Sequence, residues 1–186
     1  MRTAAWFVLA LGLLVVSPAA AQSAPETFTA TATLKTSAGA SATAPVVITI
    51  TRWTTDAERG TAIAGLRSGG SAALKKALAA MPEAGTIQVG GQKTGLRFAR
   101  AMDTAGGRLV TVVASQPILH IGAGVPDAKP KAEYDLAFAT FEVDSSGKGT
   151  AGDLAPAAKL KVGTNDAIVV DDYGTEAVRL SGIAKK

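Results

Sequence analysis

From Thr27 to Lys35 apolar and polar positions alternate without a break, with Phe28, Ala30, Ala32 and Leu34 on one side and threonines on the other. Period two with β-branched residues facing outward predicts a half-buried strand. The small, Gly-containing stretch 37–44 predicts a turn. Pro45 then opens a second strand through Val46, Ile48 and Ile50, the first position of a strand being one where a ladder tolerates proline. After Ile50 the period changes. Thr55-Asp56-Ala57-Glu58 spells a capping box, in which the Thr hydroxyl and the Glu carboxylate each satisfy a backbone N–H left over at a helix start. Trp53, just before it, reads as an apolar plug between sheet and helix, with Arg52 and Arg59 near the surface. Leu74, Leu78 and Met81 recur at i, i+4 and i+7, and Pro82 ends that stripe. Gly69-Gly70 lies between the two helical stretches, so a two-helix hairpin is predicted over about 55–81.

Beyond Pro82 the pattern returns to strands and turns. Apolar runs at 86–89, 96–102, 108–114, 117–121, 134–144, 159–162, 167–170 and 178–183 are separated by Gly-, Asp- and Ser-rich connections. With the first two they make about ten strands, too many for an antiparallel meander to stay flat. The predicted fold is mainly β: a meander closed as a β-barrel or β-sandwich, with the helical hairpin inserted after the second strand. The alternative is an α+β sheet covered on one face by the helices. No repeat of fixed period and no second boundary stands out, so residues 22–186 read as a single domain.

The first residues follow a different rule. A positive Met1-Arg2, an apolar run from Ala4 to Val16, a break at Ser17-Pro18 and the small residues Ala19-Ala20-Ala21 predict a secretory signal peptide over 1–21. The run falls short of the roughly 20 apolar residues that a membrane span needs, so no span is expected once the leader is cut. The expected location is the periplasm or the exterior. Of 186 residues, 165 would then remain, enough to bury a core without staples. None is available: the chain has no cysteine, which excludes thiol nucleophiles, thiolate metal sites and thiol redox work. Without Arg2 the count is 18 basic against 15 acidic residues, a net of +3. The densest basic spots, Lys75-Lys76 and Lys185-Lys186, lack the interleaved aromatics of a single-strand binder, so no nucleic-acid partner is expected.

Few residues carry recognisable chemistry. His120 is the single histidine; neither an H-E-x-x-H metal motif nor a G-x-S-x-G nucleophile elbow accompanies it. Ser145 to Lys148 spells S-x-x-K, but between strands rather than at a helix start, where the Lys stays solvated. Gly122-Ala123-Gly124 lacks the third glycine of a dinucleotide loop, and no P-loop is present, so no cofactor and no metal are predicted. Arg100 shares a strand face with Leu96, Phe98 and Met102 and is the candidate for an inward or rim position, where it needs a carboxylate such as Asp135 or Glu142, or an anionic ligand. Asp171-Asp172-Tyr173 places adjacent carboxylates on opposite strand faces and reads as a solvated turn.

The segments TRWTTDAER, LAAMPEAGTIQV, LRFARAM, ASQPI, YDLAFATFEVDSSGKGTAGDL and DDYGTEAVRL together resemble a family of small secreted bacterial proteins with no assigned activity. The resemblance covers most of the chain after the leader. It implies export and a single domain, and it brings no catalytic residue, cofactor or substrate.

The expected function is an exported, non-enzymatic binding module for a small apolar or amphiphilic ligand. The ligand would sit in a barrel interior or in the crevice between sheet and helices, with Trp53, Phe98, Arg100 and Tyr134 as contacts. One alternative is a cell-envelope module that docks a protein partner through a sheet edge or the helices. A second is a hydrolase using His120.

Overall fold

The computed structural model describes residues 25–35, 39, 41–118 and 133–186. Nine strands follow in order: β1 (Glu26–Lys35), β2 (Ser41–Ile50), β3 (Gly85–Val89), β4 (Gln92–Thr104), β5 (Gly107–Ala114), β6 (Leu136–Val143), β7 (Lys148–Val162), β8 (Ile168–Tyr173) and β9 (Val178–Lys185). One helical element, α1 (Asp56–Ala79), lies between β2 and β3, and a 3₁₀ turn, Thr164–Asp166, joins β7 to β8. All pairings are antiparallel, and the spatial order is β6-β5-β4-β3-β2-β1-β9-β7-β8. An additional β6–β7 pairing closes eight strands into a ring and leaves β8 outside it. The sheet is a barrel, then, and neither a sandwich nor an open α+β layer.

Strand alternation fills the ring. Phe28, Ile48, Ile87, Leu96, Phe141, Leu154 and Leu180 share one cluster in which the buried side chains are 0–6 % exposed. The Phe28 and Phe141 rings meet edge to face at 5.1 Å. Among the described residues the lumen is packed by these side chains. Side chains of their own strands commonly fill the interiors of small barrels.

A second cluster covers the outside. Phe98, Val113, Leu136 and Phe138 point outward from the wall and pack with Ala62, Ile63, Leu66, Leu74 and Leu78 of α1 and with Leu160 and Ile168 of the β7–β8 arm. The expected pair of helices is a single element interrupted at Gly69 (φ −155°, ψ 23°) and Gly70 (φ 62°, ψ −152°). The reason is topological. Ile50, where β2 ends, pairs with Gly85, where β3 begins, so the intervening chain must leave and return to the same end of the barrel. A straight 24-residue helix would finish about 36 Å away. The glycine pair supplies the reversal, and the two limbs touch: a Cβ on Gly65 would sit 3.4 Å from that of Ala77.

Other strand boundaries also differ from expectation. β2 starts at Ser41, and Pro45 lies inside it opposite Thr31. The Pro45 carbonyl accepts from Gly90, past the last β3 residue, so its missing N–H faces the side where β3 has already turned away. The longest strand is β7 rather than the 134–144 run. The described part of the predicted 117–121 strand, Pro117 and Ile118, is not extended into a ladder; Ile118 N–H donates to Pro156 O at 2.8 Å.

Phe141→Ala is expected to cost ~3–5 kcal/mol of unfolding free energy, since a 2 %-exposed ring leaves a cavity in a closed lumen. Urea unfolding would read this as a lower midpoint at similar slope. The bend has its own signature. Gly60→Ala, exposed with nothing within 4 Å, should gain ~0.5–1 kcal/mol, while Gly70→Ala, at φ 62°, should lose about 1 kcal/mol or more.

Candidate functional site

The helix start organises the surroundings. Thr55 caps α1: its hydroxyl accepts from Glu58 N–H at 3.3 Å, and the Glu58 carboxylate accepts from Thr55 N–H at 2.8 Å. Arg52 forks onto the same carboxylate. Burial alone would raise the Glu58 carboxyl, but the Thr55 N–H and Arg52 outweigh it and hold it below its ordinary value. Thr54 is buried. Its N–H donates to Ala99 O at 2.8 Å and its hydroxyl accepts from Ala99 N–H at 2.9 Å. On its β3 side β4 has no strand partner at that position, because β3 reaches only Leu96, and Thr54 fills the gap.

Trp53 thereby faces the lumen end. It packs against the interior cluster, and the Arg108 guanidinium stands 5.7 Å from its ring and 5.8 Å from that of Phe28. Arg108 forks onto Glu26, which Lys185 also reaches at 3.1 Å. Burial pushes the Glu26 carboxyl up; the two cations more than reverse that and hold it below the usual 4.5. Trp53 is packed as a plug at the barrel mouth.

Tyr134 has a comparable duty at the other end. Its ring is buried against Gly174, its hydroxyl donates to the Asp172 carboxylate at 2.5 Å, and Lys159 lies 5.1 Å above it. The hydrogen bond to Asp172, with burial second, raises the Tyr134 hydroxyl. Lys159 in turn bonds Glu133 at 2.5 Å, which raises its ammonium. Asp171 pairs instead with Lys161 at 2.9 Å, so the adjacent carboxylates serve different partners. Tyr134 ties β8 to the start of β6. The 145–148 turn is closed by Asp144, which accepts from the N–H groups of Lys148 and Ser146; these hold its carboxyl low. His120 lies outside the described residues.

Phe98 and Arg100 do come together. The pairing of β4 with β5 slips between Leu96 and Phe98, a bulge that sends Leu96 to the lumen and Phe98, Arg100 and Met102 outward. The expected shared face is therefore corrected: Leu96 leaves it, and Arg100 points away from the lumen. Neither predicted carboxylate holds Arg100. Asp135 pairs with Lys75 at 3.3 Å, and Glu142 accepts from Thr104. Asp56, in the first turn of α1, is the partner at 2.8 Å, and Thr54 O accepts from the same guanidinium at 3.3 Å.

Outside β4 and β5, beside α1, is a groove of about 380 Å³. Phe98, Met102 and Leu109 form its floor, Arg59 and Arg100 stand on its rim, and residues 165–168 form the far wall. Met102 is 45 % exposed and lies directly across the strand pair from Leu109. The wall is held from α1: Arg59 donates to the carbonyls of Asn165 and Asp166 at 2.8 and 3.0 Å, and Arg67 bonds the Asp166 carboxylate at 2.5 Å. Asn165 and Asp166 both sit at φ 55°, a left-handed conformation that Asn and Asp tolerate best among side-chain-bearing residues. A hollow of about 430 Å³ near Thr33 and Arg179 is larger, but Arg179–Asp153 spans it and its Val178 is fully buried.

Sequence reasoning placed Arg59 near the surface and Met102 on the face of Arg100 but named neither as a ligand contact, and it did not single out Leu109 or the 165–168 turn. Period-two alternation places Met102 with Arg100 and pairs Leu109 opposite, which is the signal that could have found two of them. No family model matches the chain, and no curated protein or solved structure matches it.

Glu26 gives this region a pH signature. Because its folded value lies below the ordinary 4.5, its contribution is complete above about pH 4.5 and is lost as pH falls through the lowered value. Glu26→Gln should cost about 1–3 kcal/mol at pH 7, and the gap from wild type should shrink towards pH 3. Urea midpoints at the two pH values measure it.

Proposed function

We propose that this protein is an exported, non-catalytic binding module that takes a small amphiphilic molecule in the groove on the outer barrel wall. The observation that carries the reading is the Met102–Leu109 cross-strand pair, apolar and partly open to solvent, beneath two guanidinium groups. A single exposed apolar side chain needs no explanation; one set over an apolar floor in a concave site of ligand-sized volume invites an occupant. The lining contributes Arg, Asp, Asn and one Thr hydroxyl, which pairs no nucleophile with a base, so binding rather than turnover fits the chemistry. Export rests on the leader pattern at 1–21.

The alternative, docking of an envelope partner, draws on one observation: among the described residues β8 ends the strand order with β7 alone beside it, an edge of the kind that accepts another strand.

The groove reading is tested by fluorescence titration with anilinonaphthalene sulfonate. Wild-type protein should bind the dye saturably, and Met102→Glu should weaken it by about tenfold or more. Thr33→Glu, at the other hollow, should bind as wild type does. Equal binding by Met102→Glu and wild type would remove the groove from consideration.

A further inference from the structure

We infer that the groove selects a single-chain carboxylate amphiphile, whose head group takes Arg100 over from Asp56 while its chain lies on Met102 and Leu109. The inference rests on the groove reading above and adds the chemistry of the head group.

Arg100 is held by a replaceable partner. The Asp56 side chain is 86 % exposed and meets Arg100 at 2.8 Å. Exposed pairs of this kind are weak, because solvent screens them and both side chains lose freedom in making them. Released from Arg100, Asp56 keeps a favourable place in the first turn of α1, where unpaired N–H groups and the helix dipole favour negative charge. The structure's own occupant of the guanidinium is a carboxylate, so a ligand carboxylate exchanges like for like, in the fork geometry that arginine offers.

The remaining charges favour the same head group and one orientation. Arg59, one helical turn after Asp56, bonds only backbone carbonyls and has no carboxylate partner among the described residues. The Asp166 carboxylate on the far wall is already engaged by Arg67. Two guanidinium groups therefore stand on the rim, with Asp56 as a loosely held counter-charge and Asp103 as a further carboxylate in the lining. Asp103, next after Met102 on β4, lines the groove towards the end of β4 away from Phe98. An anion bound in the reverse sense would face it, whereas one at Arg100 is spared that repulsion. A cationic head would meet two arginines.

Isothermal titration of the full-length mature chain, below the micellar range, distinguishes these outcomes with three probes: dodecanoate, dodecyl maltoside and dodecyl trimethylammonium. Wild type should prefer dodecanoate. The ratio of dodecanoate to maltoside affinity should rise roughly threefold to fivefold in Asp56→Asn, where the internal competitor is gone, and fall about tenfold in Arg100→Gln. A merely structural Arg100–Asp56 pair would not raise affinity when Asp56 is neutralised. A dodecanoate preference unchanged or reduced in Asp56→Asn overturns the inference. Equal binding of all three probes by wild type, lost in Met102→Glu, keeps the groove and rejects the head-group selection; no binding of any probe rejects both.

Discussion

The pairing of β7 with both β9 and β6 is the contact on which the remaining architecture hangs, because it turns a sheet with two edges into a ring. β7 bonds β9 through Lys148–Leu154, β6 through Gly152–Ala158 and β8 through Ala158–Val162. Closure demands close approach. A Cβ on Gly149 would fall 2.2 Å from the Glu142 carbonyl, and one on Gly152 would fall 2.6 Å from the Phe141 Cβ. Only glycine lets the closing strand come that near, and Phe141 can then fill the lumen behind it. Among the described residues, the side chains of the strands pack the inside of the ring. Its last residues run past the wall, fold back through the 3₁₀ turn and give the outer surface its second layer.

That second layer explains why the candidate site lies outside. The bulge in β4 turns Phe98, Arg100 and Met102 outward, and α1 covers Phe98 but not Met102. The far wall at 165–168 is brought over the strand face by Arg59 and Arg67 of α1. Four segments, separated by as much as about a hundred positions, have to meet before a groove exists. The same bend at Gly69-Gly70 that returns the chain to β3 aligns the first limb of α1 beside that face.

The ionic groups divide by how firmly they are held. Glu26 is held by Arg108 and Lys185 over two aromatic rings, so its charge is part of what seals the barrel mouth. Glu58 joins Arg52 to the helix cap. Asp56 is different: almost fully in water, it has Arg100 as its one ion-pair partner among the described residues. Groups with several partners in a sheltered setting resist exchange, whereas an exposed single pair exchanges readily with a competitor of the same chemistry. The distinction separates Trp53 and Tyr134, both committed to structure, from Arg100.

Much of this was legible in the chain itself. Alternation in 27–35, the Thr55–Glu58 capping box, the stop at Pro82 and a mainly β meander are local: periodicity and a cap are decided within a few residues, by backbone hydrogen bonds and the side a Cβ points to. Phe98 and Arg100 were recognisable as sharing one strand face for the same reason, though not that the face points outward. What the tertiary structure decided depends on partners far away. The closing strand was hidden because Gly149, Gly152 and Pro156 look like turn residues until a neighbour presses against them. The face of Arg100 turned on a bulge that only the β4–β5 register defines, and Asp56 became its partner because the cap at Thr55 sits against β4. Local pattern determines which residues form an element; close approach and register, set by the elements around it, determine where each charge and ring ends up.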